Sequence, residues 1–185
     1  NLVSTGVLNI TGNGQSNIGG NLNMNSKNIV SLADPVGAQD AATKNYVDNV
    51  AQGLDPKASV LTATSGTLAS ATGGTVTYNN GTSGVGATLT TTGSYTTISG
   101  INIATVGARI LVKNEANSVW NGIYTYTSST VLTRSTDFDN SPGQEIAGAF
   151  VFIAAGTQND NTGWVCTDSN PVVVGTDPIT FTQFS

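Results

Sequence analysis

The sequence predicts a mainly β protein that carries one short helix and a small β-barrel or β-sandwich domain. Composition is the first reason: Thr, Ser, Asn and Gly supply nearly half of the 185 residues, and only 9% are charged. This mixture favours strands and turns over helices. Spacing is the second reason, because short apolar stretches alternate with clusters of turn residues along most of the chain, a pattern typical of antiparallel β-structure. A helical bundle is therefore excluded as the main architecture.

Residues 1–33 are predicted to form a shaft-like β segment of short fibrous strands. The apolar pairs Leu8 with Ile10 and Leu22 with Met24 each lie near Gly or Asn turn residues. Strands this short cannot bury a core within one chain. Three copies wound together would pair the open strand edges and bury the apolar side chains along the common axis. The alternative is an Asn- and Gly-rich linker without regular structure.

Residues 34–54 are predicted to form a turn and then the one convincing helix, with Asp40 as its potential N-cap. Val47, Val50 and Leu54 recur at a helical spacing and form an apolar seam of barely two turns. Because helices shorter than about 12–15 residues are marginal in water, this seam needs a neighbour. Its own symmetry mates in a trimeric collar would supply one, and the following domain is the alternative.

Residues 55–185 are predicted to form a β-domain of six or seven short strands separated by turn clusters. A stretch rich in Gly, Ser and Thr, residues 62–97, is either a long hairpin insertion or a mobile loop. The predicted strands span residues 75–78, 108–113, 122–127, 131–134, 148–154, 164–167 and 179–184. The predicted core consists of Ile110, Val112, Ile123, Phe150, Phe152, Val165 and Phe181.

Composition and charge argue against several function classes. The chain has no histidine, which removes imidazole catalysis and histidine-based zinc sites. The six Lys and Arg residues are dispersed in a chain of net charge −5, so no nucleic-acid partner is expected. No apolar run approaches the roughly 18 residues of a membrane span, so membrane insertion is not expected. The single cysteine, Cys166, lies in a predicted strand and is interpreted as a buried structural thiol.

No catalytic residue, metal ligand or cofactor is predicted, and the chain is not expected to be an enzyme. The acidic residues lie mostly in turn or cap positions, which does not favour the paired carboxylates of a glycosidase. Oxygen-bearing side chains do cluster at Asp137 to Asn140 and at Asn159 to Asn161, as a calcium site would require. Neither loop matches an EF-hand, and turn formation explains both clusters.

Aromatic residues supply the candidate binding residues, Trp120 and Tyr124. Trp120 falls in an Asn- and Ser-containing loop, residues 114–121, where an exposed indole could stack on a sugar ring. Large rings are also common in protein cores, so packing is the alternative for both residues. Trp164, which lies in a predicted strand, is interpreted as a packing residue.

The stretch 28–35, Asn-Ile-Val-Ser-Leu-Ala-Asp-Pro, is followed at 40–48 by Asp-Ala-Ala-Thr-Lys-Asn-Tyr-Val-Asp. This succession resembles a segment that recurs in bacteriophage tail fibre proteins, where a strand ending in "LxDP" precedes "DAATKxYVD". The remainder resembles a β-domain of the same proteins. The matching words are Gly-Leu-Asp-Pro-Lys-Ala-Ser-Val at 53–60, Gly-Ala-Arg-Ile-Leu-Val-Lys-Asn at 107–114, Asn-Gly-Ile-Tyr at 121–124, Thr-Arg-Ser-Thr-Asp at 133–137 and Thr-Gly-Trp-Val at 162–165.

The resemblance covers about residues 22 to 185. It implies a homotrimeric fibre of the extracellular virion that helps the phage tail attach to bacteria. The implied partners are two further copies of the chain and other tail or baseplate proteins, and a bacterial surface glycan is the partner in the alternative, receptor-binding interpretation. It implies no catalytic site. Residues 66–94 depart from the family pattern because they are longer and more repetitive. The chain begins without Met within an alternating pattern, so we expect it to be a segment of a longer protein.

Overall fold

A computed structural model describes residues 19–21, 23–37, 39–44, 47, 55–140, 146–169 and 171–185. The chain divides into two units, Asn1–Thr43 and Lys44–Ser185. The predicted strand pair at Leu8 and Ile10 lies outside the described residues, as do Leu22 and the seam residues Val50 and Leu54.

The described part of the first unit consists of turns and extended backbone without sheet pairing. The amide of Lys27 donates to the carbonyl of Met24 across 2.8 Å, which closes one turn. Ile29 and Val30 are exposed. The shaft-like strands of residues 1–33 stay a prediction.

Asp40 does not cap the predicted helix, and that prediction is wrong. Its carboxylate accepts hydrogen bonds from the amides of Val36 (2.9 Å) and Gly37 (2.7 Å), which precede it, and these bonds lower its pKa. Helical backbone begins only at Lys44. Asp40 therefore stabilises the turn before the helix, because an Asp side chain can bond to preceding amides as readily as to following ones.

The described strands of the second unit form three sheets. A four-stranded sheet has the order β1-β10-β11-β12, a six-stranded sheet has the order β2-β7-β8-β9-β4-β3, and β5-β6 is a separate hairpin. The pairs β1–β10 and β2–β7 are parallel, and the other pairs are antiparallel. The elements are β1 (Asp55–Pro56), β2 (Thr62–Ala63), α1 (Leu68–Thr72), β3 (Val76–Asn79), β4 (Thr88–Thr91), β5 (Thr97–Ile98), β6 (Ile101–Asn102), β7 (Arg109–Val112), a 3-10 helix (Ser118–Trp120), β8 (Gly122–Ser128), β9 (Val131–Arg134), β10 (Ala149–Phe152), β11 (Gly163–Cys166) and β12 (Phe181–Gln183).

Alternation along the central strands of the six-stranded sheet buries both of its faces. Leu111 of β7 and Ile123 of β8 face the four-stranded sheet and share a core with Val151 and Cys166. Ile110 and Tyr124 face the opposite way, into a second core that α1 and the β5-β6 hairpin help to cover. Successive side chains of a strand point to opposite faces, which explains this division.

The prediction of a mainly β protein is confirmed, and all seven predicted strands overlap observed ones. The helix α1 was not predicted, and most of the predicted collar helix lies outside the described residues. The prediction of a closed barrel is wrong, because the sheets formed by the described strands are open. The mobile-loop alternative for residues 62–97 is also wrong. That stretch contributes α1, β2 and the β3–β4 hairpin, which completes the six-stranded sheet.

The short helix α1 is held by caps rather than by length. The Thr67 hydroxyl accepts the amide of Ser70 (3.2 Å), and Gly73 ends the helix in the left-handed region at φ 68°. The Glu115 carboxylate accepts the amide of Leu68 at 2.6 Å. Burial raises the pKa of Glu115, and this hydrogen bond opposes the rise.

The prediction that Phe152 belongs to the core is wrong. Its side chain is 50% exposed, and Phe150 and Val165 are only half-buried. The remaining predicted core residues are buried: Ile110, Val112, Ile123 and Phe181. In β10 the smaller residues Ala149 and Val151 face the core instead, so the phenylalanines lie on the outer face of the four-stranded sheet.

Candidate functional site

The loop that carries Trp120 is held by hydrogen bonds within the loop and by bonds to Ile179, just before β12. The Asn121 side chain accepts the amide of Glu115 (3.1 Å) and donates to the carbonyl of Ile179 (2.9 Å). The amide of Ile179 donates to the carbonyl of Ser118 at 3.1 Å. Asn117 accepts the amide of Val119 and begins the short 3-10 helix. These bonds hold Trp120 in one place on the domain.

Trp120 is half-buried and packs against Tyr78 of β3. The two rings are stacked, with centroids 5.9 Å apart and an interplanar angle of 21°. The Tyr78 hydroxyl donates to the Asn80 side chain at 2.7 Å. The two rings therefore pack against each other, with the Asn80 amide close to the Tyr78 ring. Trp120 also borders the second core, so it contributes to packing as well.

Tyr124 is not available to a surface ligand, and this candidate is corrected. The side chain is fully buried. Its hydroxyl donates to the carbonyl of Trp120 (2.6 Å) and accepts from Nη2 of Arg134 (2.7 Å). Burial is the main reason that the pKa of Tyr124 is raised, while the charge of Arg134 opposes the rise. Tyr124 therefore supports the Trp120 loop from below.

Arg134 is a buried cation that sequence reasoning did not identify. Its Nη1 donates to the carbonyl of Asn121 at 3.0 Å, and its guanidinium carbon lies 4.8 Å from the ring centroid of Tyr124. The Nε atom has no hydrogen-bond partner. Gly122 makes room for this side chain, because a Cβ there would overlap Nη1 of Arg134. No polar periodicity in β9 distinguishes Arg134 from an exposed arginine, so the sequence carried no signal.

A second arginine, Arg109 of β7, forms a bidentate ion pair with Asp137. Nη2 lies 2.8 Å from Oδ2 and Nη1 lies 3.2 Å from Oδ1. The Ser135 hydroxyl donates to Oδ1 at 2.6 Å. Burial raises the pKa of Asp137, but the hydrogen bonds from Arg109 and Ser135 and the nearby charges outweigh it, so the pKa is lowered.

The ion pair bears on the calcium interpretation of the loop at Asp137. Both oxygens of this carboxylate are already bound to a guanidinium, which leaves a poor ligand for a cation. Within the described ranges, no group of three or more His, Cys, Asp or Glu residues is placed to hold a metal ion. Turn formation remains the interpretation of both oxygen-rich loops.

Trp164 and Cys166 are packing residues, as predicted. Trp164 lies against the core between the sheets, its Nε1 donates to the Thr162 hydroxyl (2.9 Å), and Nζ of Lys113 lies 4.0 Å from its ring centroid. Burial lowers the pKa of Lys113. Cys166 is buried, and burial raises the pKa of its thiol to about 12. A thiol in this state is a poor nucleophile.

Of the seam candidates, Val47 is helical and 52% exposed, while Val50 and Leu54 lie outside the described residues.

A shallow groove of about 470 Å³, which the sequence did not suggest, is lined largely by hydroxyl-bearing residues of the α1 region and β5, among them Thr64, Ser70 and Ser99. No helix in the described part of the chain has the length and apolar character needed to cross a membrane.

Comparisons with protein-family models, with curated proteins and with solved structures found no match to this chain.

Proposed function

We propose that this chain is a structural segment of a homotrimeric bacteriophage tail fibre. In this proposal the protein belongs to the extracellular virion, contacts other tail or baseplate proteins, helps attachment to bacteria and catalyses no reaction. The predicted collar at Val47, Val50 and Leu54 would hold three copies together, and each copy would carry its own β-domain.

One observation carries the proposal: residues of the sequence motifs on which the resemblance rests contact one another in the folded domain. Arg109 from the word at 107–114 pairs with Asp137 from the word at 133–137. Tyr124, which ends the word at 121–124, accepts a hydrogen bond from Arg134. Lys113 lies over the ring of Trp164 from the word at 162–165.

These contacts join different elements of the β-domain: Tyr124 and Arg134 lie on neighbouring strands, and the other two contacts link a strand to a loop. Even the word at 53–60 contributes an internal ion pair, between Asp55 and Lys57 at 2.6 Å. Motif residues that make contacts of this kind stabilise the fold of the domain. This supports a structural role rather than a shared catalytic site.

Surface chemistry also supports the proposal. Hydroxyl pairs bridge neighbouring strands, as between Thr127 and Thr133 at 2.6 Å and between Thr75 and Thr92 at 3.2 Å. Cross-strand pairs of this kind stabilise a sheet without ionised groups. A protein that works outside the cell at varying salt concentration benefits, because neutral hydrogen bonds are not screened as ion pairs are.

Sedimentation of the full chain tests the proposal. A trimer of about three times the 18.8 kDa chain mass is expected at micromolar concentration. Antibodies raised against the protein should also label the tails of virions in electron micrographs. A stable monomer together with unlabelled virions would refute the proposal.

A second function, binding of a bacterial surface carbohydrate, is favoured by the stacked pair of Trp120 and Tyr78. The loop that carries Trp120 is fixed by hydrogen bonds at both ends, so the exposed part of its half-buried ring would meet a sugar without a large cost of ordering. Here Trp120 is the contact residue, and Tyr124 only supports it.

A glycan array with the full chain and matched variants tests this second function. Trp120→Ala should abolish glycan binding while the fold is retained. Trp164→Ala serves as the control, because its ring lies under Lys113 and should not contact the sugar. Binding that survives Trp120→Ala would remove the stacked pair from consideration.

A further inference from the structure

The outer face of the four-stranded sheet carries a cluster of exposed aromatic rings. Phe152 and Phe184 are each 50% exposed, and Phe150 is half-buried beside them. The ring centroids of Phe150 and Phe152 are 6.2 Å apart, and Phe184 lies 5.9 Å from Phe150 and 5.7 Å from Phe152. We call these three residues and their neighbours on this side of the sheet the phenylalanine face.

A glycine brings the rings together. Gly163 of β11 lies opposite Phe152 of β10, and the amide of Phe184 donates to the carbonyl of Gly163 at 2.9 Å. A Cβ at Gly163 would overlap the ring of Phe184. The two phenylalanine side chains therefore close over the space that the glycine leaves, as aromatic residues often do beside a strand glycine.

The described residues that strand pairing places on the phenylalanine face carry no charged side chain. Strand pairing places Pro56, Val165 and Thr182 on the same side as the rings, because each belongs to a row of paired residues that includes Phe150. Asp55 is paired with Ala149 and so belongs to the opposite side. A chain of net charge −5 repels its own copies wherever its carboxylates meet. This face is one where a second copy can approach without such repulsion.

A sugar fits this face poorly. Carbohydrate recognition needs donors and acceptors beside the aromatic ring. Among the described residues of the phenylalanine face, hydroxyls come from Thr182 and from Ser185, whose Oγ already accepts the amide of Gly163. The charge-free, apolar composition instead matches the core of a protein–protein interface, which is enriched in aromatic residues and depleted of charge.

The area of the face indicates how it would be used. Phe152 and Phe184 each leave roughly 100 Å² exposed and Phe150 leaves less, so the three rings present about 250 Å². A stable interface needs about 800 Å² from each partner, so this face cannot hold free copies together. Copies already tethered meet at millimolar effective concentration, where a small face suffices. A tether lies close in sequence, since the seam residue Leu54 directly precedes β1, the strand beside Phe150.

We propose that the phenylalanine face is a self-association surface, where the β-domains of neighbouring copies pack against one another in the trimer. This inference rests on the proposed trimer, because the collar supplies the tether. Thr182 then lies at the contact between copies, while Thr105, an exposed threonine in the connection between β6 and β7, lies away from it.

Cross-linking of the full chain tests the inference. The native Cys166 is buried, so Thr182→Cys introduces one accessible thiol. A short bismaleimide should join the chains of Thr182→Cys but not those of Thr105→Cys. Adding Phe152→Ser and Phe184→Ser to Thr182→Cys should lower the cross-linked yield at least tenfold and leave the trimer intact in sedimentation. Adding Val106→Ser, which removes an exposed apolar side chain elsewhere, should leave the yield unchanged.

The outcomes separate this inference from the proposed function. A trimer in which Thr182→Cys does not cross-link, or cross-links no better than Thr105→Cys, overturns the self-association surface alone. A trimer whose cross-linking survives the loss of both phenylalanines overturns it as well. A monomer in sedimentation overturns both the surface and the proposed trimer.

Discussion

Replacing Tyr124 by phenylalanine removes one oxygen atom that two buried groups share. The hydroxyl donates to the carbonyl of Trp120 at 2.6 Å and accepts from Nη2 of Arg134 at 2.7 Å. The substitution leaves a donor of a buried cation and a backbone acceptor without their partner. The first loss costs about 2 kcal/mol and the second about 1 kcal/mol, since hydrogen bonds to charged groups are the stronger ones. We therefore expect Tyr124→Phe to lower the free energy of unfolding by about 3 kcal/mol.

Tyr95→Phe is the matched control for this prediction. Tyr95 is also fully buried, but its hydroxyl makes one long hydrogen bond, 3.3 Å, to the carbonyl of Leu89. Its removal should cost about 1 kcal/mol or less. Urea unfolding followed by tryptophan fluorescence measures both variants. In thermal unfolding the difference of about 2 kcal/mol corresponds to roughly 4–8 °C for a chain of this size.

An equal loss of stability in the two variants would refute the reasoning. It would mean that Arg134 does not depend on the Tyr124 hydroxyl for its hydrogen bonding. The same experiment reports on the Trp120 loop, because its carbonyl is the other partner. Glycan binding by Tyr124→Phe should weaken only if this loop shifts, which separates a supporting residue from a contact residue.

Three further predictions follow from the same contacts and from the predicted collar. The lowered pKa of Asp137 contributes stability that is present above the unfolded-state pKa, near 3.9, and is lost as pH falls through the lower folded-state value. Asp137→Asn should therefore destabilise the protein by about 1 kcal/mol at pH 7 and flatten this part of the acid unfolding curve. An unchanged curve would contradict this prediction. Gly122→Ala should cost about 2–3 kcal/mol in urea unfolding, because the added Cβ overlaps the buried Arg134, and a neutral result would show that the guanidinium can move aside. Val50→Asp should dissociate the proposed trimer, as light scattering would show, and leave the unfolding temperature of the β-domain unchanged, since three carboxylates in an apolar seam cost several kcal/mol. Loss of domain stability without a change of oligomeric state would instead place Val50 against its own chain.

The strands that sequence reasoning located well are those with strong local signals. Residues 131–134 were predicted with the observed bounds, and residues 122–127 missed one residue of β8. Apolar alternation and turn residues are local properties, so the sequence displays them. Strand β4 was missed because its threonines carry little apolar contrast, and its place in the sheet depends on pairing with β3 and β9.

The candidate site was predicted only in part for a related reason. Trp120 ends a short 3-10 helix within the predicted loop and is half-buried against the second core, and its role in binding stays a prediction. The Arg109–Asp137 pair joins residues 28 positions apart, and nothing local indicates it. The aspartate looked like a turn residue because its partner comes from another strand.

The sequence by itself determined that this chain forms mainly β-structure, because a high content of Thr, Ser, Asn and Gly and alternating apolar residues favour strands and turns over helices. It also determined that side chains on a strand divide between two faces. Which face is covered, and by what, was decided only by the tertiary structure. Period-two alternation is the same for Phe152, which is half-exposed, and for Tyr124, which is fully buried. Burial depends on the element packed against a face, and the chain brings that element from distant positions.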